Sequence, residues 1–443
     1  MKHETFSFGT QVDLEKKLQE IGVSLPLSND HSLLKQPVSA GSHLIPNRIC
    51  IQPMEGSDGK EDNSPSDLTR RRYMRFAKGG AGLIWFEAVS VVSEGRASPR
   101  QLYLSEKNSD SFARLVEEIK AESVKNCGVE PVVIVQAAHS GRYSKPEGPP
   151  APIIAYNNRA FEGDTPIPAE RIISDDALQA LEEEYGRFAA LCERIGFDGV
   201  DVKACHRYLA SELLSAYTRP GRYGGSFENR IRFLTNCLRS AAAATGGRFL
   251  KTTRVNACDG FAYPDGFGAA PDNGNESDLR EAVALAKILD KELGLSIINI
   301  TAGNPYVNPH VNRPYDHGKY IPDEHPLEGV SRLMNSAAEI QRACPDMVVV
   351  GSGFSYLRHH SPALAAGALE EGFCSVAGFG RLAIAYPDFP ADILTKGKLD
   401  ANRCCMSCSK CAVLLRNQIP AGCVLRDDAY LPPYKRLMET ASQ

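Results

Sequence analysis

Eight short runs of apolar and β-branched residues punctuate the chain: RICIQP (48–53), GLIWFE (82–87), PVVIVQA (131–137), GVDVK (199–203), RFLKTTRV (248–255), SIINIT (296–301), MVVVGSG (347–353) and CSVAGFG (374–380). They lack the apolar–polar alternation of a sheet with one wet face, so they predict strands buried on both sides. Between them, LTRRRYMRFAKGGA, SDSFARLVEEIKAES, SDDALQALEEEYGRFAALCERIG, SFENRIRFLTNCLRSAAAATG, SDLREAVALAKILDKELG and GVSRLMNSAAEIQRAC repeat apolar residues at i, i+3, i+4 and i+7. Ser or Asp often sits where an N-cap belongs, so these segments predict helices. Eight strands alternating with helices close a (β/α)8 barrel. The alternative, an open doubly wound sheet, lacks a G-x-G-x-x-G after the first strand. The expected class is therefore α/β, a TIM barrel over about 40–395, with a polar leader (1–39) and a C-terminal cysteine-cluster extension (396–443).

Composition narrows the picture without changing it. The 443 residues are 43% hydrophobic and 23% charged, with a formal net charge of −4. Such a balance gives no reason to expect nucleic acid or an anionic membrane as partner. The opening MKHETFSFGTQVDLEKK has no apolar core of a secretory signal, and no run of roughly eighteen apolar residues occurs. The expected compartment is the cytoplasm, where thirteen cysteines would be thiols, metal ligands or catalytic groups rather than a disulfide framework.

In a barrel, chemistry gathers where strands end at the C-terminal face. Two long connections, 138–175 and 302–330, are expected there. Strand three ends in Gln136, and strand four in Lys203 followed by His206, Arg207 and Tyr208. Strand five carries Lys251 and Arg254. Strands seven and eight run into Ser352–Gly353 and Gly380–Arg381, where backbone N–H groups and an arginine could hold a phosphate. Tight turns alone would also explain those glycines.

These residues fall into stretches that resemble the old yellow enzymes, in the NADH:flavin oxidoreductase family. VQAAHSGR resembles their Q-x-x-H-x-G-R, and GFDGVDVKACHRYLASELLS…YGGSFENRIRF their strand-four signature with Y-G-G-S-x-E-N-R-x-R-F. NRICIQPM and GFGRLAIAYPDFP resemble the first and last strands. The resemblance spans about 40–395, in order. It implies an FMN-binding barrel that reduces an activated C=C bond of an unsaturated carbonyl compound. By position, Gln136 would bond the flavin pyrimidine edge, and Arg254 would stand near flavin N1 and O2. Gly353, Gly380 and Arg381 would hold the phosphate, with Pro53 and Met54 beside the ring. Glu55 replaces a small or hydroxyl residue, and Glu87 matches a structural carboxylate.

Tyr208 matches the family's proton donor, a phenol with a pKa near about 10 that stays protonated at neutral pH. His206 matches the second member of the carbonyl-binding pair. The first member is usually His and here is Lys203, a flexible point charge; a structural pairing with Glu55 or Glu87 is the competing reading. Arg207 would add charge at the pocket mouth or serve the scaffold. Between Ser215 and Tyr223 the chain is shorter than the family pattern. His310, in the connection after strand six, matches the region of a catalytic histidine in the dienoyl-CoA reductase branch. Asn304, Tyr306 and Arg313 could line the same pocket.

The tail reads RCCMSCSKCAVLLRNQIPAGC (403–423). A C-x2-C-x2-C run with a distant fourth cysteine is closer to ferredoxin spacing than to zinc sites, which pair two C-x2-C units or add histidines. The dienoyl-CoA reductase branch carries C-x2-C-x3-C-x11-C for a [4Fe–4S] cluster. Cys405, Cys408, Cys411 and Cys423 fit it with one spacing a residue short, and Cys404 is spare. Zinc, or unliganded thiols, are the alternatives. That branch continues into a flavin and nicotinamide module, for which no fingerprint appears here. A separate reductase or ferredoxin, or NAD(P)H acting directly, is the expected donor. Flavin-dependent amine oxidation and a flavin/Fe–S electron carrier are the competing functions, and a homo-oligomer remains an open expectation.

Overall fold

The structure is a computed structural model and describes residues 2–441 except 273 and 275. An antiparallel hairpin, β1 (Val38–Ala40) and β2 (His43–Ile45), precedes nine parallel strands. These are β3 (Ile49–Ile51), β4 (Leu83–Ser90), β5 (Val132–Ala138), β6 (Gly199–Val202), β7 (Leu250–Thr252), β8 (Arg254–Asn256), β9 (Ile297–Thr301), β10 (Val348–Gly351) and β11 (Val376–Phe379). Their order is β7-β6-β5-β4-β3-β11-β10-β9-β8, which leaves β7 and β8 at the two ends. Thr253 alone separates them. They are halves of one stave, β7 pairing with β6 and β8 with β9. A bridge between Ala204 and Val255 carries the fourth stave on to the fifth, so the ring closes as a (β/α)8 barrel.

The break has a local cause. The Asp201 carboxylate accepts from the Arg254 N–H (2.6 Å), and the Thr253 hydroxyl donates to the Val202 carbonyl (2.7 Å). Side chains there replace the regular ladder. At the opposite end, inward residues such as Cys50, Trp85, Ile134, Ile297 and Val350 form one apolar cluster with Ala40 and Ile45 of the hairpin. The hairpin therefore plugs the N-terminal end, and the site must open at the other.

Helices start where the sequence supplies caps: Ser66 for Asp67–Gly79, Ser174 for Asp175–Arg194 and Ser226 for Phe227–Ala244. Their apolar faces form the outer layer of the core. The leader is more than polar chain. Gln11–Glu20 is a helix with a Thr10–Asp13 capping box, and it buries Leu14 and Leu18. Phe6 sits under the Arg358 guanidinium, 4.4 Å from ring centroid to carbon.

The tail lies across the barrel's C-terminal loops. Asp427 accepts two bonds from Arg71 (2.8 and 3.0 Å) and another from Arg75, and Ala421 N–H donates to the Gly56 carbonyl (2.7 Å). No helix among the described residues is long and apolar enough to cross a membrane.

Candidate active site

A cleft of about 190 Å³ opens at the C-terminal mouth of the barrel. Its walls include Pro53, Met54, Gln136, Lys203, His206, Tyr208, Arg254, Gly353, Gly380 and Arg381, all named from the sequence. His310 is not among them. It lines a separate cavity with Glu324 and Arg332, and its Nδ1 bonds the Tyr320 hydroxyl at 2.5 Å. The reason is helical geometry. His310 and Asn312 share the short helix Pro309–Asn312, where residues two apart point in different directions. Asn312 faces the cleft and His310 faces away, which corrects the expectation that His310 would be catalytic.

The cleft's polar groups are held from behind. Asp201, fully buried, accepts from Gln136 Nε2 (2.7 Å) and Trp85 Nε1 (2.7 Å) as well as from Arg254 N–H. Burial raises its carboxyl to about 6 against those donors. Because the Gln136 amide nitrogen is committed to Asp201, its carbonyl oxygen is free for a ligand. Gln52, which the sequence did not single out, donates to Asn299, Gly351 and Ser352 and accepts from Asn299 (2.7 Å).

Glu87 is structural. It accepts from Gly56 N–H (2.8 Å) and pairs with buried Arg72 (2.5 Å), which also pairs with Asp58 (2.5 Å). The turn after β3 is thereby fixed beside Glu55.

At the reactive end, the Lys203 Nζ lies 3.6 Å from the centroid of the Tyr208 ring and makes no ion pair with Glu55 or Glu87 among the described residues. Burial lowers its pKa. Tyr208 bonds the Tyr306 hydroxyl at 3.2 Å, and burial pushes its phenol well above 10. His206 occupies left-handed backbone (φ 65°), as does Arg207 (φ 62°), a strained pair of the kind found at functional sites. Asn312 Nδ2 meets His206 Nε2 at 2.8 Å. Burial, reinforced by Arg254, Lys203 and Arg313, holds the imidazole well below its usual pKa, and it is therefore neutral.

Arg207 turns away from the cleft, bonding Ser215, Tyr156 and the Asp265 carbonyl and pairing with Asp259 at 3.4 Å. Its role is structural. Glu55 lines the cleft without a hydrogen-bond partner among the described residues, and burial raises its carboxyl to about 7.

The residues fit an FMN. Arg254 Nε and Arg381 Nη1 are buried without hydrogen-bond partners among the described residues, and both arginines line the cleft. Gly353 (φ 102°) supplies a backbone shape that L side chains rarely adopt, next to Ser352 at the end of β10. Two uncompensated guanidinium groups beside glycine turns are what an anionic phosphate and an electron-rich ring edge would satisfy.

The cleft's lining finds its match in sequence. Residues 33–399 match the profile of the NADH:flavin oxidoreductase / NADH oxidase family. The chain belongs to this family. Relatives include an NADPH dehydrogenase of Bacillus velezensis, 30% identical over 263 residues (58% of this chain, 70% of the relative). An NADH oxidase of Thermoanaerobacter brockii is 27% identical over 382 residues (83% of this chain, 52% of the relative). The fold is similar to an old yellow enzyme homologue from Zymomonas mobilis (TM-score 0.63, 21% identity, 83% of this chain and 94% of that one). It is also similar to 2-naphthoyl-CoA reductase (TM-score 0.72, 20% identity, 89% of this chain), of which it spans 57%. Membership makes the chain an FMN-dependent oxidoreductase.

Of the tail, Cys405, Cys408, Cys411 and Cys423 line one small cavity of about 20 Å³ together with Arg381. Yet the described residues hold no group of three or more His, Cys, Asp or Glu arranged to hold a metal ion. The expectation of a metal site is thus not carried by the geometry of the thiols. Cys404 is fully buried and donates to the Asp400 carbonyl instead.

Proposed function

We propose that this flavoenzyme reduces an activated C=C bond, with Tyr208 as proton donor and Lys203 and His206 polarising the substrate carbonyl. Bound FMN would supply the hydride. Gln136, Arg254 and Arg381 would hold it, with Gly353 and Gly380 allowing close backbone approach to the phosphate. Neutral His206, braced by Asn312, and the Lys203 ammonium would share the developing oxyanion charge. Tyr208, kept protonated by burial, would deliver its proton to the substrate's α-carbon.

The carrying observation is the juxtaposition of Tyr208, Lys203 and His206 in the cleft where Arg254 Nε and Arg381 Nη1 have no hydrogen-bond partner among the described residues. Amine oxidation is less well served, because Glu55 is the one acidic wall residue among four Lys and Arg side chains.

Anaerobic stopped-flow with NADPH and then 2-cyclohexenone tests this reading. Tyr208→Phe should slow flavin reoxidation by the enone about 10²-fold or more while leaving flavin reduction near native. Equal reoxidation rates in both proteins would sink it.

The finer reading of the tail is also ours. Cys405, Cys408, Cys411 and Cys423 would hold a [4Fe–4S] cluster fed by a separate reductase or ferredoxin. Support comes from four thiols facing one cavity. Zinc on the same four thiols is the alternative. Iron and sulfide analysis of anaerobically purified protein decides, and zinc without iron would overturn it.

A further inference from the structure

A second cavity of about 200 Å³ adjoins the cleft and shares Glu55, Pro305, Tyr306, Arg313 and Leu415 with it. Its outer walls are Lys145, from the connection after β5, and Arg416, from the tail helix Lys410–Arg416. The two cavities are neighbours across these shared walls. Tyr208 lines the first, Arg416 and Lys145 line the second, and Arg313 borders both.

None of these three cations makes an ion pair among the described residues. Arg416 donates to the Pro305 carbonyl (2.7 Å), which leaves its charge uncompensated. Burial, with Arg381 and Arg416 close by and Cys411 opposing them, lowers Arg313 to about 10. FMN would answer Arg254 and Arg381 but would leave the outer three. The one carboxyl bordering both cavities, Glu55, is largely uncharged below about 7. Partly buried cations gathered at the end of a cavity create a strong local field for an anion.

We infer that Arg313, Arg416 and Lys145 bind a carboxylate or phosphate at the far end of an elongated ligand whose other end reaches Tyr208 and Lys203. This rests on the ene-reductase reading for the identity of the reacting end, and it names the substrate class: unsaturated carbonyl compounds carrying a remote anion. The same chemistry would serve the 2′-phosphate of an NADPH donor entering the cleft.

The holoenzyme is titrated, following the flavin spectrum, with a cyclohexenone bearing a carboxylate on a short alkyl chain and with its methyl ester. The acid should bind at least about tenfold more tightly, a ratio worth roughly 1.4 kcal/mol. Arg416→Leu and Arg313→Leu should bring the ratio close to one, and Arg416→Lys should restore most of it. A parallel arm compares flavin reduction by NADPH and NADH. A preference for NADPH that Arg416→Leu abolishes would assign the site to the dinucleotide phosphate instead of the substrate tail.

If neither preference exists, or if both survive the substitutions, the inference is overturned. Loss of iron in Arg313→Leu with both preferences intact overturns it equally, because Arg313 would then serve the cysteines. If the acid binds more tightly but neither enone is reduced, the anion site stands and the ene-reductase reading fails.

Discussion

Glu55 and Lys203 meet in the cleft as a carboxyl raised to about 7 and a lysine lowered by burial. The sequence marked both as departures from the family pattern, but it could not say that they would form no ion pair among the described residues and that Lys203 would lie over the Tyr208 ring. The consequence for stability has a definite sign. A carboxyl whose folded pKa lies above its unfolded value of roughly 4.3 binds more protons when folded. Its contribution is therefore most favourable below that unfolded value. It is lost as pH rises to about 7 and is level beyond that. Glu55→Gln removes this loss, so its Tm should rise relative to native enzyme between pH 5 and pH 8. A difference that shrinks with pH would contradict the assignment. Two neighbours make a second residue-scale contrast. Asn312→Ala removes the brace of His206 and should lower kcat/KM for the enone by about tenfold, the scale of one lost hydrogen bond of roughly 1.4 kcal/mol. His310→Ala, facing another cavity, should stay within about twofold of native. Steady-state kinetics of the two variants would show a reversed order if the helix turned the other way.

Strands were the legible elements because parallel staves buried on both faces must be continuous apolar runs. The motifs placed the cleft for the same reason: stave ends cannot move without moving the barrel. The hairpin β1–β2 has three-residue strands, too short for a periodic signal, and the leader helix buries just Leu14 and Leu18. His310 misled because residue type and segment do not fix which way a side chain faces. A single helical turn between a proline and an extended residue fixes facing by contacts that no spacing encodes. The break at Thr253 was equally silent, yet it ties function to a buried charge. Asp201 accepts Trp85, Gln136 and the Arg254 N–H at once, and asparagine cannot accept all three. Asp201→Asn should therefore cost about 1–3 kcal/mol in urea unfolding and release FMN more readily on dialysis. Unchanged flavin retention would mean that Gln136 is oriented by something else.

At the scale of the whole molecule, the tail is a wall of the site. Ala421 bonds Gly56, whose own N–H is held by Glu87, and Leu415 borders the cleft and Arg416 the cavity beside it. Nothing in RCCMSCSKC signals this, since the cysteines attract attention and the wall residues follow them. Asp427 is the tail's strongest tie to the barrel. Burial alone would raise its carboxyl, but Arg71 and Arg75 hold it below the usual range. Removing it leaves two arginines facing a nearly buried gap, so Asp427→Ala should loosen residues 396–441 as a unit. Limited proteolysis should then cut the tail faster while the barrel core persists. The KM for the enone should rise more than kcat falls, because Tyr208, Lys203 and His206 stand on barrel loops that the substitution leaves in place. If kcat collapsed with KM unchanged, the tail would be acting on the reacting groups themselves. The pairing of faster cleavage with a raised KM is what a closing wall requires, and neither half alone would establish it.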